Sequence, residues 1–372
     1  MKNLPVCEPA LLGNELAYVT EAVSGGWISS AGRFVHEFEK TFAAYCGVSH
    51  GIAVCNGTVA LHLMLRAMGI GPADEVIIPD FTMIASALAV HYTGATPIFV
   101  DADSESWNLS PEKVEAAITP RTRAIMAVHI FGVPCDMDAL SEIADRYCIE
   151  LIEDAAEAHG AEWRGKKAGA LSRISGFSFF ANKNITTGEG GMVVTDDDAL
   201  AERCRYFRNL CFPLNSPRTY LHSDIGYNYR MSNLHAALGL AQTEKADTYR
   251  AMRIRNGEHY RHRLSEIPGI RLQQLDSRAK PVFWMNGLCV TPEYGKERDA
   301  LAFHLKENGV ETRMFFQGMH RQPALRERSR APGDFITSDF LADNGLYLPS
   351  SSTLTPDEID HVSDLIAAFS KS

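Results

Sequence analysis

No apolar stretch in the 372 residues approaches the roughly 20 that a helix needs to cross a bilayer. The opening MKNLPVCEPALLGNEL lacks the apolar core of a secretory signal, so a cytoplasmic protein with no membrane partner is expected. Positive charge is short: 36 Lys and Arg against 46 Asp and Glu leave a net charge of −10. That balance disfavours nucleic acid as a partner, although it leaves room for a local anion site. The eight cysteines are scattered and form no CxxC pair, so free thiols are expected rather than a disulfide framework or zinc site. The 13 histidines show no HExxH spacing, and no metal is expected. No GxGxxG follows an apolar run, so the dinucleotide fingerprint is missing. Residues 160–167, GAEWRGKK, fall one residue short of a phosphate-binding P-loop and read as a turn between strands. There is no repeat, low-complexity tract or long linker.

What is present is an ordinary globular composition, 45% hydrophobic and 22% charged, in a chain long enough for two lobes. From about 51 to 196, short apolar runs alternate with helix-like segments. The runs are GIAVC (51–55), EVIIP (75–79), TPIFVDA (96–102), AIMAVHIFG (124–132), IELIEDAA (149–156), GFSFFA (176–181) and GGMVVTD (190–196). They are rich in Val and Ile and lack polar alternation, as strands covered on both faces do, which predicts an α/β fold with a mostly parallel, doubly wound sheet. Past residue 240 the rhythm changes. A charged helix (about 242–265), strands at 270–275 and 282–291, a helix at 297–309, ETRMFF (311–316) and a last helix opened by TPDE (355–358) predict a smaller α+β domain. The expected division is 1–240 and 241–372. A helix carrying Leu16, Val19 and Val23 is expected to pack near the junction, and Trp27 reads as core.

Three places carry chemistry. Lys183 follows the apolar run 176–181, and Asp154 ends the run 149–156. A lysine and an aspartate at strand ends suit pyridoxal 5'-phosphate (PLP). The lysine forms a Schiff base, and the aspartate keeps the pyridine nitrogen protonated. Asn56-Gly57-Thr58 opens a helix after a strand, which makes an anion site or a plain helix cap. Glu153, Asp154 and Glu157 cluster where like charges call for a cation or proton, or else form a solvated turn.

These segments resemble the DegT/DnrJ/EryC1/StrS sugar aminotransferases, a branch of the fold-type I PLP enzymes. The resemblance runs nearly end to end through WISSAGRF (27–34), CNGTVALHL (55–63), GIGPADEVIIPDFT (69–82), ITPRTRAIMAVHIFG (118–132), CDMDAL (135–140), EDAAEAHGA (153–161), SFFANKNITTGEGG (178–191) and GYNYRM (226–231). It implies that Lys183 is the Schiff-base lysine and acid/base, Asp154 the partner of the ring nitrogen, and Glu157 a neighbour of the ring hydroxyl. Gly57, Thr58 and Ser178 become phosphate ligands, and Asn228 reaches the phosphate from the other subunit of a homodimer. Met83 stands where relatives place a ring-stacking aromatic, and 312–320, TRMFFQGMH, departs from the usual proline and histidine pattern near the substrate. Ser30, Arg230 and His320 lie in segments the family uses around the sugar.

The implied reaction moves an amino group from L-glutamate to a keto-sugar, nucleotide-linked and GDP-4-keto-6-deoxymannose-like, for surface polysaccharide such as the O-antigen of lipopolysaccharide. Three alternatives stand beside it: an aminotransferase for a keto or aldehyde sugar without nucleotide, such as an oxidised octulosonic acid; a PLP-dependent sugar dehydratase, a branch with histidine in place of this lysine; and a non-catalytic sugar-sensing regulator.

Overall fold

A computed structural model of the chain describes residues 3–371 apart from 215, 216 and 218. The first nine strands are β1 (His50–Val54), β2 (Glu75–Pro79), β3 (Thr96–Val100), β4 (Thr122–Val128), β5 (Glu150–Asp154), β6 (Glu162–Trp163), β7 (Lys166–Lys167), β8 (Ile174–Ser178) and β9 (Gly191–Thr195). Seven of them form one sheet in the order β1-β9-β8-β5-β4-β2-β3. Pairing from β8 through β3 is parallel, and β9 alone runs antiparallel, between β1 and β8. The apolar runs are strands because both faces are covered: β2 and β9 are buried at every position. Residues 160–167 form the predicted turn, with β6 and β7 as its antiparallel arms.

Helices close these βα units with local caps. Asn56 Oδ1 accepts the Val59 amide (3.0 Å) ahead of helix Gly57–Met68. Asp136 Oδ1 accepts the Ala139 amide (3.1 Å) ahead of Met137–Tyr147. Because the crossovers are parallel, the C-terminal ends of β1, β2, β4, β5 and β8 meet at one edge, where doubly wound sheets place their ligands.

The expected single helix over 242–265 is two helices, Asn233–Glu244 and Ala246–Leu264, broken at Lys245. Beyond it β10 (Ile270–Arg271), β12 (Asn286–Val290), β13 (Arg313–Met314) and β14 (Gly345–Leu348) form an antiparallel sheet ordered β10-β12-β14-β13, while β11 (Ala279–Lys280) extends the β6/β7 pair. The predicted strand over 270–275 stops at Arg271; Gln273 turns its side chain onto the Ser106 carbonyl (2.6 Å). The closing helix Pro356–Phe369 has the predicted capping box, and it buries Ile359, Val362 and Ile366. The N-terminal residues cross the expected boundary: Leu4 pairs with Val310 and packs in the C-terminal core beside Leu264 and Leu301. Two further expectations are corrected. Leu16 and Val23 on helix Glu15–Ser24 face outward, and Trp27 is 61% exposed rather than core. No helix among the described residues is long and apolar enough to cross a membrane.

Candidate active site

A cavity of about 470 Å³ opens at the C-terminal edge of the large sheet, a size suited to a cofactor and part of a substrate. Asp154, Glu157, Lys183, Gly57, Thr58 and Ser178 all line it, as does Met83. The structure therefore brings together the predicted residues that came from four separate segments.

Asp154 ends β5 and is buried. Its Oδ2 accepts the Ser86 hydroxyl (2.7 Å) and its Oδ1 the Ala156 amide (3.2 Å). Burial raises its pKa, while these two donors favour the carboxylate. Glu153 does not share the site. Successive strand residues point to opposite faces, and Glu153 turns into the protein. There it accepts from His129 Nε2 (3.0 Å), the Gly169 and Leu171 amides (2.9 and 3.1 Å) and the Ser172 and Ser175 hydroxyls (3.0 and 2.8 Å). Burial works against its charge, yet these donors hold its pKa below the ordinary value. The Cys135 amide donates to His129 Nδ1 (3.2 Å), which leaves the ring proton on Nε2, facing Glu153. The expected three-acid cluster is thus two acids at the cavity and one structural anchor behind it.

Glu157 accepts the Phe131 amide on Oε2 (2.8 Å), and burial pushes it up to about 7. Lys183 lies in the turn between β8 and β9, where its amide bonds the Phe180 carbonyl (2.9 Å) and Thr187 bonds back to Phe179 (2.9 Å). Gly190 closes this turn because a Cβ there would meet Thr187 Oγ1 at 2.2 Å. Burial lowers the pKa of the Lys183 amine, and the charges of Glu157 and Asp154 oppose that shift. Its Nζ sits 3.7 Å from the centroid of the Trp284 ring.

At the other end, helix Gly57–Met68 aims its free N-terminal amides at the cavity. Gly57 is required there: a Cβ would meet Ser178 Cβ at 2.6 Å. The residues fit PLP. A buried carboxylate stands at one end, an amide and hydroxyl cradle at the other, and an amine faces the same space. Met83 caps the wall at 51% exposure.

Asn228, Ser30, Arg230 and His320 do not line the cavity. Asn228 and Ser30 are exposed. Arg230 donates to Asn209 Oδ1 (2.9 Å). His320 is held by Asp80 (2.8 Å to Oδ2) and Asp339 (3.2 Å) and stacks on Phe335, which ties the 312–320 segment to the end of β2. From the divergent 312–320 segment, Arg313, Met314 and Phe316 reach the cavity wall. Sequence reasoning missed Ser86, Trp284 and Tyr347. Ser86 lies three residues past Met83 in the sequence. Trp284 and Tyr347 sit in apolar runs with no local signal.

The DegT/DnrJ/EryC1/StrS aminotransferase family model matches residues 9–367. The chain is 47% identical over 366 residues to GDP-perosamine synthase of Caulobacter vibrioides, covering 97% of this chain and 98% of the relative. It is 42% identical over 372 residues to GDP-perosamine synthase of Escherichia coli O157:H7, covering 99% of each. Among solved structures, S. venezuelae DesV superposes with a TM-score of 0.92 at 35% identity over 100% of both chains. A match over nearly the whole length, on a site shaped for that cofactor, places the chain in the DegT/DnrJ/EryC1/StrS aminotransferase family of PLP-dependent enzymes.

Proposed function

We propose that this aminotransferase moves an amino group from L-glutamate to the keto carbon of a nucleotide-linked sugar, GDP-4-keto-6-deoxymannose in kind, and so feeds surface polysaccharide synthesis in the cytoplasm. The observation that carries the reading is Lys183 in one cavity with Asp154 and Glu157, in a chain 47% identical to a GDP-perosamine synthase. PLP, when bound, supplies the carbonyl that takes up the amino group and the ring that spreads the electrons left by Cα–H cleavage.

Each residue has a task that follows from its surroundings. Gly57 and Thr58 at the helix N-terminus, with Ser178, hold the phosphate. Asp154, fixed by Ser86, holds a proton on the ring nitrogen. Glu157, fixed by Phe131, would lie beside the ring hydroxyl, and Met83 would cover the ring. Lys183 would form the covalent link and, once released from it, would take the donor's Cα proton on Nζ and return it to the carbon on the other side of the amino nitrogen. Burial serves this role by keeping more of the amine neutral. Residues 1–240 and 241–372 act as two lobes around this chemistry, with the first residues returning to the second lobe.

Large exposed apolar residues concentrate at 11–28 and 220–225, including Leu16 at 82% and Leu221 at 85%. A second copy of the chain covering them makes a homodimer, in which Asn228 serves the partner's phosphate and Ser30, Arg230 and His320 shape the sugar side. The test uses the purified protein with PLP. Its visible band should bleach with L-glutamate and return with GDP-linked keto-sugar, and Lys183→Ala should do neither. Amine product from nucleotide-free sugars alone would sink the nucleotide assignment.

A further inference from the structure

Trp284 lies just ahead of β12, and its indole is buried. Three contacts fix it. Nε1 donates to the Asn182 carbonyl (2.9 Å), its amide donates to the Phe131 carbonyl (2.9 Å), and its own carbonyl accepts Arg253 Nη1 (3.1 Å). Arg253 is itself buried and anchored by Ser352 (2.9 Å). The two backbone bonds fix the main chain that carries the ring, and the Nε1 bond with burial holds the indole facing Lys183, whose Nζ lies 3.7 Å from its centroid. That is well inside the roughly 6 Å reach of a cation–π contact. No ion pair joins Lys183 to Asp154 or Glu157 among the described contacts.

We propose that Trp284 is a positioning residue whose indole face is the resting place of the Lys183 ammonium whenever the lysine is not bonded to the cofactor. The inference rests on the PLP reading. A lysine that alternates between covalent link and base must be held close and released easily. A carboxylate within ion-pair distance would hold the ammonium tightly and compete for its proton. A π face attracts the cation but accepts no proton, and its attraction is broad in direction, so the amine can swing toward the reacting carbon. The ring favours the charged form and raises the lysine pKa, against the burial that lowers it. Asp154 and Glu157 from the end of β5, Cys7 from the N-terminal segment and His159 also act on this amine.

The decisive experiment replaces tryptophan by analogues with one, two or three ring fluorines, which weaken the π face with little change of shape. In cofactor-stripped protein, the pH at which Lys183 becomes half-reactive toward an acylating reagent is read by peptide mass spectrometry. The midpoint should fall stepwise with fluorination, by roughly one unit across the series. Trp284→Phe should shift it less than Trp284→Leu. A midpoint that stays flat across the analogues overturns the proposal. Failure of the PLP reading shows separately, as a wild-type chain that gains no visible band with PLP.

Discussion

Burial at Lys183 and burial at Glu157 push two opposite charges toward neutrality in the same cavity. For Glu157 the folded value near 7 lies above the ordinary 4.5, so its proton stabilises the fold at low pH. That contribution is present in full below about 4.5 and is lost as pH rises through about 7. We expect the melting temperature of the stripped protein to fall as pH rises across this window, and Glu157→Gln to flatten the curve in a thermal scan series. Asp154→Asn keeps the shape beside Ser86 but removes the charge that would hold the ring proton. Turnover should drop by about 100-fold or more while the visible band persists. An unchanged turnover would mean that the ring proton is held by another group. Tyr347 is buried at the cavity with its hydroxyl unpartnered, which leaves it a donor to offer a bound substrate.

At the scale of elements, the contact between helix Gly57–Met68 and β8 is close enough that a methyl group matters. Gly57→Ala should force Ser178 aside and weaken PLP binding about tenfold or more, read by spectral titration. The seven large-sheet strands were legible because strands covered on both faces leave apolar runs without polar alternation, whichever way they run. The caps at Asn56, Asp136 and Thr355 were legible because each motif is local. The chain beyond residue 240 was harder to read. Its strands are short, and side chains such as Gln273 leave the ladder to bond distant loops such as the one at Ser106. The break at Lys245 has no proline or glycine to announce it. At the site, Lys183 and Asp154 could be read because each stands at the end of an apolar run. Ser86, Trp284 and the Phe131 amide could not, since each meets its partner only after the chain folds back across many residues.

For the whole molecule, the outward apolar residues are the feature a lone chain explains worst. A surface with Leu16, Trp27, Ile28, Leu221 and Ile225 exposed favours association. Sedimentation should give a dimer. Leu16→Glu combined with Trp27→Glu should shift it toward monomer and lower turnover together, since Asn228 would then serve no cavity. The buried bonds around Glu153 have a different consequence. They tie β5 to the segment that follows β7, so Asp154 keeps its place whether or not anything occupies the cavity. A chain built this way has no need to unfold when it is emptied. Stripped enzyme stored cold should recover full absorbance within seconds of mixing with PLP, as a vessel refills, rather than over the minutes of a refolding reaction.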